Sequence, residues 1–373
     1  MGVKIETVLP CTPLQEAMLA STDHKGAYLN HTLLRLHQDP TGVKSAWDAM
    51  QLRHPIFRTC FATTEDVALP IVQVILQTAY TAWVHYDTSD GSLEECIAKH
   101  VSTVPEALDS MRAPFSVATI FNHNATYISF ACHHSMYDGV AVEIIFSEVE
   151  QLLAGAALSP PPSYELFLQH SLAVSALVDE FWTEHLDGYN PQILPQLKPE
   201  SLLGPSVTIT RDIDSPLATI RDALQESGLS MLSLCQASLA SVLSILLGTD
   251  DVCFGNVMSG RSLTIDGIDK LVAPCFNTIP IRMDLSSTSR NIDLARAFHS
   301  INPRMIDYQF TPFRRIQSLV GRKHKDWRLF DTLLILQQPL QPRNDTVWTI
   351  ERDEGFMDVS FHMHQAQEIA ELC

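Results

Sequence analysis

The chain has 373 residues, 46% of them hydrophobic, enough to bury a large core and to fold as two units. Its 43 acidic residues against 25 basic ones give a formal net charge of −18, which argues against the basic surface that nucleic acid or an anionic membrane requires. The eight cysteines form no CxxC pair, and several, such as Cys132 and Cys235, sit in apolar runs, so reduced, buried thiols fit better than a disulfide framework.

Met1-Gly2-Val3-Lys4-Ile5-Glu6 has no apolar signal core, and Glu6 stands where a myristoylation signal needs Ser or Thr, so a cytosolic protein is expected. Thr12-Pro13, with Gln15 at capping-box distance from Thr12, predicts a short helix with proline at its first position. Tyr28 to His37 alternates as a strand, and Val43 to Arg53 has helical spacing through Val43, Ala46, Trp47, Met50 and Leu52. Arg53 and Arg58 bracket the apolar pair Ile56-Phe57, which suits anchors of a buried face better than surface charges. Pro70 to Val84 reads as a strand and Ser92 to Val104 as a helix. Met111 to Ile120 introduces a strand, and Asn122-His123-Asn124 is a turn.

The chain is organised around Ala131-Cys132-His133-His134-Ser135-Met136-Tyr137-Asp138-Gly139, set between the strand pattern Tyr127-Ile128-Ser129-Phe130 and a helical run from Val140 to Phe146. A reactive side chain at such a junction is held firmly and can still be reached. Strand alternation places Ile128, Phe130, Cys132 and His134 on one side and Tyr127, Ser129, Ala131 and His133 on the other. The more apolar row carries His134, so His134 is expected to point inward as a neutral imidazole able to accept a proton. Asp138 stands before Gly139, a residue that permits tight turns, and is expected to tie the loop down through an arginine. A buried histidine satisfied by a carbonyl is the plain alternative. Cys132, His133, His134 and Asp138 are all ligand types, but adjacent strand residues diverge and no second ligand pair follows, so no metal site is expected.

A helix near residue 155 gives way to the stiff connector Ser159-Pro160-Pro161-Pro162-Ser163, and a helical stretch runs to Trp182 and Leu186. The segment from Gly188 to Pro205 is loop-like, placing the boundary between residues 1–190 and 191–373. A strand is expected at Ser206 to Arg211, a buried amphipathic helix at Leu229 to Leu247 ending at Gly248, and a strand from Asp251 leading into Ser259-Gly260-Arg261. Asn277 in Pro274-Cys275-Phe276-Asn277-Thr278 can be read as an amide donor to a developing oxyanion or as a residue that stabilises its own loop. A last strand is expected at Met357 to Met363.

His133-His134-Ser135-Met136-Tyr137-Asp138-Gly139 resembles the HHxxxDG signature of the condensation domains of nonribosomal peptide synthetases and related acyltransferases. Other stretches resemble that family's core motifs in order: Leu9 to Ala20 the first, Arg53 to Phe61 the RHxxLRTxF motif with Phe57 for leucine, and Val272 to Arg282 the fifth. Tyr164-Glu165-Leu166-Phe167, Tyr308 to Phe313 and Leu329 to Gln337 are looser matches. The spelling is most similar to fungal synthetases, especially those assembling hydroxamate siderophores.

The resemblance implies an α/β fold of two chloramphenicol-acetyltransferase-like sandwich lobes in a V-shaped pseudo-dimer, with the second lobe truncated at its end. It implies amide-bond formation between a donor acyl thioester and an acceptor amine, each on the phosphopantetheine arm of a carrier domain, beside an adenylation domain and with no bound cofactor or metal. His134 would manage the proton, with His133, Asp138 and Gly139 completing the site. Arg58 would pair with Asp138, Gly139 would leave room for an arm, and Met136, Tyr137, Ser259 and Asn277 would line the substrate channel. A free-standing CoA- or carrier-dependent acyltransferase and an inactive carrier-docking module are the alternatives; the tryptophan usual after the glycine of epimerising relatives is absent from Gly139-Val140-Ala141-Val142.

Overall fold

The computed structural model describes residues 4–21, 28–78, 83–105, 108, 110–123, 125–173, 177–192, 194, 209–287, 290–320, 328–337 and 346–354. The chain divides into two compact units that are discontinuous in sequence. One comprises Met1–Leu172, Leu263–Cys275 and Pro339–Val359; the other comprises Ala173–Ser262, Phe276–Gln338 and Ser360–Cys373. In chain order the elements of the first stretch are β1 (Ile5–Pro10), α1 (Pro13–Ser21), β2 (Leu29–Leu36), α2 (Val43–Arg53), β3 (Thr59–Thr63), β4 (Ile71–Leu76), β5 (Trp83–Asp87), α3 (Leu93–Val101), β6 (Phe115–Asn122), β7 (Ala125–His133), α4 (Gly139–Leu153) and α5 (Tyr164–Ser171). There follow α6 (Val178–His185), α7 (Leu217–Ser227), α8 (Met231–Leu247), β8 (Asp251–Met258), β9 (Asn277–Asp284), α9 (Asn291–Tyr308), α10 (Phe313–Val320), β10 (Leu333–Leu334) and β11 (Trp348–Glu354).

In the first unit β7 is central in a five-stranded sheet of order β11-β2-β7-β6-β5, antiparallel except for the β5–β6 pair. Its apolar row does what alternation predicts. Phe130 stacks on Trp47 of α2 at 5.1 Å and meets Phe146 of α4 at 5.8 Å, so two helices cover that face. The opposite face carries Ser129, which bonds His100 of α3 at 2.7 Å and His31 of β2 at 2.8 Å; this buried polar layer has neutral imidazoles, drawn by desolvation to about 3 for His100 and about 4 for His31. A smaller sheet, β1-β4-β3, lies in the same unit. The expected strand over 70–84 is two strands, β4 and β5, in different sheets, because continuous apolar character does not report a change of pairing partner.

In the second unit β8 and β9 pair antiparallel and β10 joins β8 in parallel over two residues. Trp182, Phe254, Ile279, Ile281, Phe298 and Ile316 form its core. The expected helix running to Leu186 is interrupted: α5 and α6 are separate. Of the strand expected at Ser206 to Arg211, residues 209–211 have no regular structure and the rest lie outside the described residues, as does the segment from Met357 to Met363.

Helix α8 is the expected helix ending at Gly248, but it is buried along one stripe only. Capped by Ser230 and ended by Gly248 in the left-handed region, it buries the stripe Ser233, Gln236, Ala237, Ala240 and Leu243, while Val242, Ile245 and Leu246 are 51%, 82% and 58% exposed. Small side chains permit close approach, and Gln236 is satisfied by Asn256 at 3.3 Å and Asn302 at 3.0 Å. Among the described residues no single helix is long and apolar enough to cross a membrane.

Candidate active site

The backbone of β7 is gripped from both sides to its end. His133 donates its N–H to the Pro114 carbonyl at 2.9 Å, and His134 donates to the Tyr28 carbonyl at 2.8 Å. A single 3₁₀ turn, His134–Met136, follows, and the strand's alternation therefore stops at His133. This is why the alternation argument misassigns burial: His133 is the more enclosed ring, 3% exposed, whereas His134 is half-buried.

The two imidazoles are fixed in opposite tautomers. Nδ1 of His133 accepts from the Ser135 N–H at 3.2 Å and lies 2.8 Å from the Ser135 hydroxyl, so the proton of the neutral ring sits on Nε2. Nδ1 of His134 lies 3.3 Å from the Tyr137 carbonyl, which can only accept, so Nδ1 carries the proton and Nε2 the lone pair. The His134 ring stacks on the Tyr137 ring at 4.8 Å with planes 28° apart. Desolvation draws His134 down to about 4, opposed by the Tyr137 carbonyl and the Asp138 charge. Desolvation and the neighbouring His134 draw His133 to about 3. Both are neutral at pH 7. Burial pushes the Cys132 thiol well above its ordinary range, so it is protonated and does not serve as a nucleophile there.

Asp138 caps α4, accepting the Ala141 N–H at 2.7 Å through one oxygen and the Cys275 N–H at 3.0 Å through the other. The carboxylate does tie the loop down, but the expected pair with Arg58 does not form. Arg58 donates instead to Glu6 and to the Leu76 carbonyl. Its place in a 3₁₀ turn ahead of β3 directs it to the small sheet, away from the end of β7. The other motif arginine, Arg53, reaches α4: its Nε and Nη2 meet the two oxygens of Glu148 at 2.9 and 3.0 Å, and His54 Nε2 is 2.6 Å from the same carboxylate. Helix α4 is thus held at Asp138 and again at Glu148.

Gly139 is the first residue of α4 and has an ordinary negative φ, so a left-handed turn does not explain it; a Cβ there would meet nothing within 4 Å. The remaining expected residues fall differently. Met136 and Tyr137 are each 1% exposed, which corrects their placement along a channel: Tyr137 supports His134 and takes a hydrogen bond from Asn30. In the second unit Asn277 spends its amide donors on the carbonyls of Gln309 at 2.8 Å and Thr311 at 3.4 Å, which is the loop-stabilising alternative and not an oxyanion donor. Ser259 is exposed, and its hydroxyl accepts the Arg261 N–H at 3.4 Å.

A condensation-domain family profile matches residues 5–370. The chain belongs to the condensation-domain family. Over 355 residues it is 46% identical to nonribosomal peptide synthetase 2 of Gibberella zeae, covering 95% of this chain and 7% of that relative. Over 365 residues it is 28% identical to the hydroxamate-type ferrichrome siderophore peptide synthetase of Schizosaccharomyces pombe, covering 94% of this chain and 7% of the relative. The chain therefore spans a small fraction of these synthetases. Among solved structures, the condensation domain from the monacolin K polyketide synthase MokA superposes with a TM-score of 0.70 at 17% identity, covering 88% of this chain and 81% of that one, which shows a shared fold.

Sequence reasoning missed several residues that organise this condensation domain around His134. Glu148 and Asn30 read as ordinary polar positions, and the Cys275 N–H leaves no trace in a side-chain pattern at all. Gln73 did leave a signal: it is a lone amide in the apolar strand Ile71-Val72-Gln73-Val74-Ile75.

Proposed function

We propose that this condensation domain forms an amide bond between a donor acyl or peptidyl thioester and an acceptor aminoacyl thioester, both tethered by phosphopantetheine to carrier domains of a cytosolic synthetase. Siderophore assembly is the pathway class favoured by the likeness to the hydroxamate-type ferrichrome siderophore peptide synthetase. The observation that carries the reading is the state of His134, a neutral imidazole whose Nδ1 proton is committed to the Tyr137 carbonyl, leaving the lone pair on Nε2. The donor thioester is already activated, so the chain need only position two reactants and move one proton. The acceptor amine attacks the thioester carbonyl, a C–N bond forms and the C–S bond breaks. His134 Nε2 takes the proton lost by the amine and returns it to the departing thiolate.

In this reading His133 is a positioning residue acting through Ser135, Asp138 holds the loop, and Gly139 admits the arm of a carrier domain. An adenylation domain would load the acceptor carrier. The test is a two-carrier condensation assay with the purified chain. His134→Ala should abolish amide formation while both loaded carriers still bind, and His133→Ala should lose less. Carrier binding without transfer by the parent chain would identify a docking module, and turnover with CoA thioesters in place of a loaded donor carrier would identify a free-standing acyltransferase.

A further inference from the structure

Ser135, the residue after His134, is held at three atoms. Its N–H and hydroxyl are taken by His133, and its carbonyl accepts a hydrogen bond from Gln15 Nε2 at 2.9 Å across 120 residues of chain. Gln15 is itself immobilised. Its Oε1 accepts the Thr12 N–H at 2.9 Å, its own N–H goes to the Thr12 hydroxyl at 3.3 Å, and its second amide proton goes to Gln73 Oε1 at 3.3 Å. Gln73 Oε1 also accepts from the Tyr164 hydroxyl at 2.9 Å, and Gln73 Nε2 donates to the Pro10 carbonyl at 2.8 Å. Gln15, Gln73 and Ser135 are fully buried and Tyr164 is 4% exposed. Burial pushes the Tyr164 hydroxyl up, so it stays a donor at every physiological pH.

This is more than is needed to satisfy buried polar groups. A capping box at Thr12 requires only a Gln side chain folded back on its own helix. Here the same amide also spans from α1 to the 3₁₀ turn, and its orientation is fixed by an acceptor, Gln73, that cannot rotate because Tyr164 and Pro10 hold both of its ends. A flipped Gln15 amide would bring an oxygen against the Ser135 carbonyl and leave the Thr12 N–H facing an amide nitrogen. The chain Tyr164–Gln73–Gln15 therefore has one arrangement, and it ends one peptide unit from the histidine.

We propose that Gln15, oriented by Gln73 and Tyr164, is a positioning residue for the condensation reaction, setting the pitch of the 3₁₀ turn and with it the direction of the His134 ring. The inference rests on His134 being the proton-handling group. Removing the grip frees the Ser135–Met136 peptide to tilt, and a misplacement of about 1 Å is enough to cost about 100-fold in rate.

The experiment combines the two-carrier assay with nitrogen-15 side-chain NMR of His134 in the full chain. Gln15→Leu keeps the bulk and removes both donors; Tyr164→Phe removes one hydroxyl and keeps the ring, so it is the variant that folds should Gln15→Leu fail to. The expected results are a fall in kcat of about 10- to 100-fold for Gln15→Leu and a few-fold for Tyr164→Phe, with KM for either loaded carrier unchanged. In both variants the His134 signals should move from the single Nδ1–H tautomer toward a mixture. A purely structural role would lower thermal stability but leave kcat per folded molecule and the tautomer signals in place, and that result from Tyr164→Phe overturns the proposal. His134→Ala is run alongside. If it retains the parental rate, the proton-handling reading fails; if it is inactive while Gln15 and Tyr164 variants run at the parental rate, only the present inference fails.

Discussion

The clamp between α2 and α4 is the strongest local prediction. Glu148 receives two hydrogen bonds from Arg53, at 2.9 and 3.0 Å, and one from His54 at 2.6 Å, with side-chain exposures of 15% for Arg53, 2% for His54 and 11% for Glu148. Glu148→Gln keeps the shape but removes the charge, and it turns a donor toward Arg53 or His54. Breaking a buried ion pair by removing one partner costs about 3–5 kcal/mol, and partial solvent access to Arg53 places this one near the lower end, about 3 kcal/mol. Because Glu148 lies in the second half of α4, the loss should be felt locally, as easier opening of residues 139–153. About 3 kcal/mol is about a 100-fold rise in amide hydrogen exchange for peptides from that helix, read by mass spectrometry against the β6–β7 hairpin as an internal reference. The clamp also has an acid limit. Burial pushes the Glu148 carboxyl up, but the hydrogen bonds and charges of His54 and Arg53 outweigh it and the net shift is below the ordinary value of 4.5. A depressed carboxylate contributes stability that is complete above its unfolded value and is lost as pH falls through its folded one. Protection of α4 in the parent chain should therefore hold from neutral pH to about 4.5 and fail below it, while in Glu148→Gln this acid step is absent. Exchange in α4 unchanged within threefold, or an acid step retained in the variant, would refute the reasoning.

Other outcomes follow from the same geometry. The His134 ring should titrate near 4 by NMR instead of at its ordinary 6.5, losing its neutral form only as pH falls through that value; a midpoint above 6 contradicts the desolvated environment. Gly139→Ala should leave stability within about 0.5 kcal/mol, since a Cβ meets nothing within 4 Å, and on the proposed function a fall in activity would report the approach of a carrier arm; a large drop in melting temperature would show that the position is structural. Gly255→Ala should destabilise the second unit by about 1–3 kcal/mol, because its Cβ would sit 2.6 Å from Phe330 and against Leu333; an unchanged urea midpoint would rule out that packing. Arg58→Ala and Asp138→Ala should destabilise additively within about 0.5 kcal/mol, and a coupling above about 1 kcal/mol would restore the ion pair that the structure replaces.

What the sequence made legible was periodicity and caps. Val43–Arg53 is the helix that its apolar spacing predicts, Ser92 caps α3 with Glu95 in a reciprocal box, and Gly248 ends α8 in the left-handed region. The 291–308 and 313–320 helices went unread beside weak motif matches, and β1 was hidden because its Ile5–Pro10 run is short and half-exposed. Within the site, the strand end and the helix start were readable, and so was the importance of Asp138. Two of its partners were not, because they are main-chain N–H groups that every non-proline residue carries. The Cys275 amide comes from a segment, Leu263–Cys275, that returns to the first unit after most of the second has been traversed.

The carboxylate of Asp138 acts on the neighbouring imidazole as well as on the loop. Beyond accepting the Ala141 and Cys275 N–H groups, the Asp138 charge raises the proton affinity of His134 against the pull of burial. The same carboxylate therefore does two things: it caps α4, fixing the turn, and it moderates the desolvation that lowers the basicity of His134. A cap by asparagine would keep part of the first effect and lose the second. Asp138 is for that reason tied to the basicity of His134 as well as to the fold.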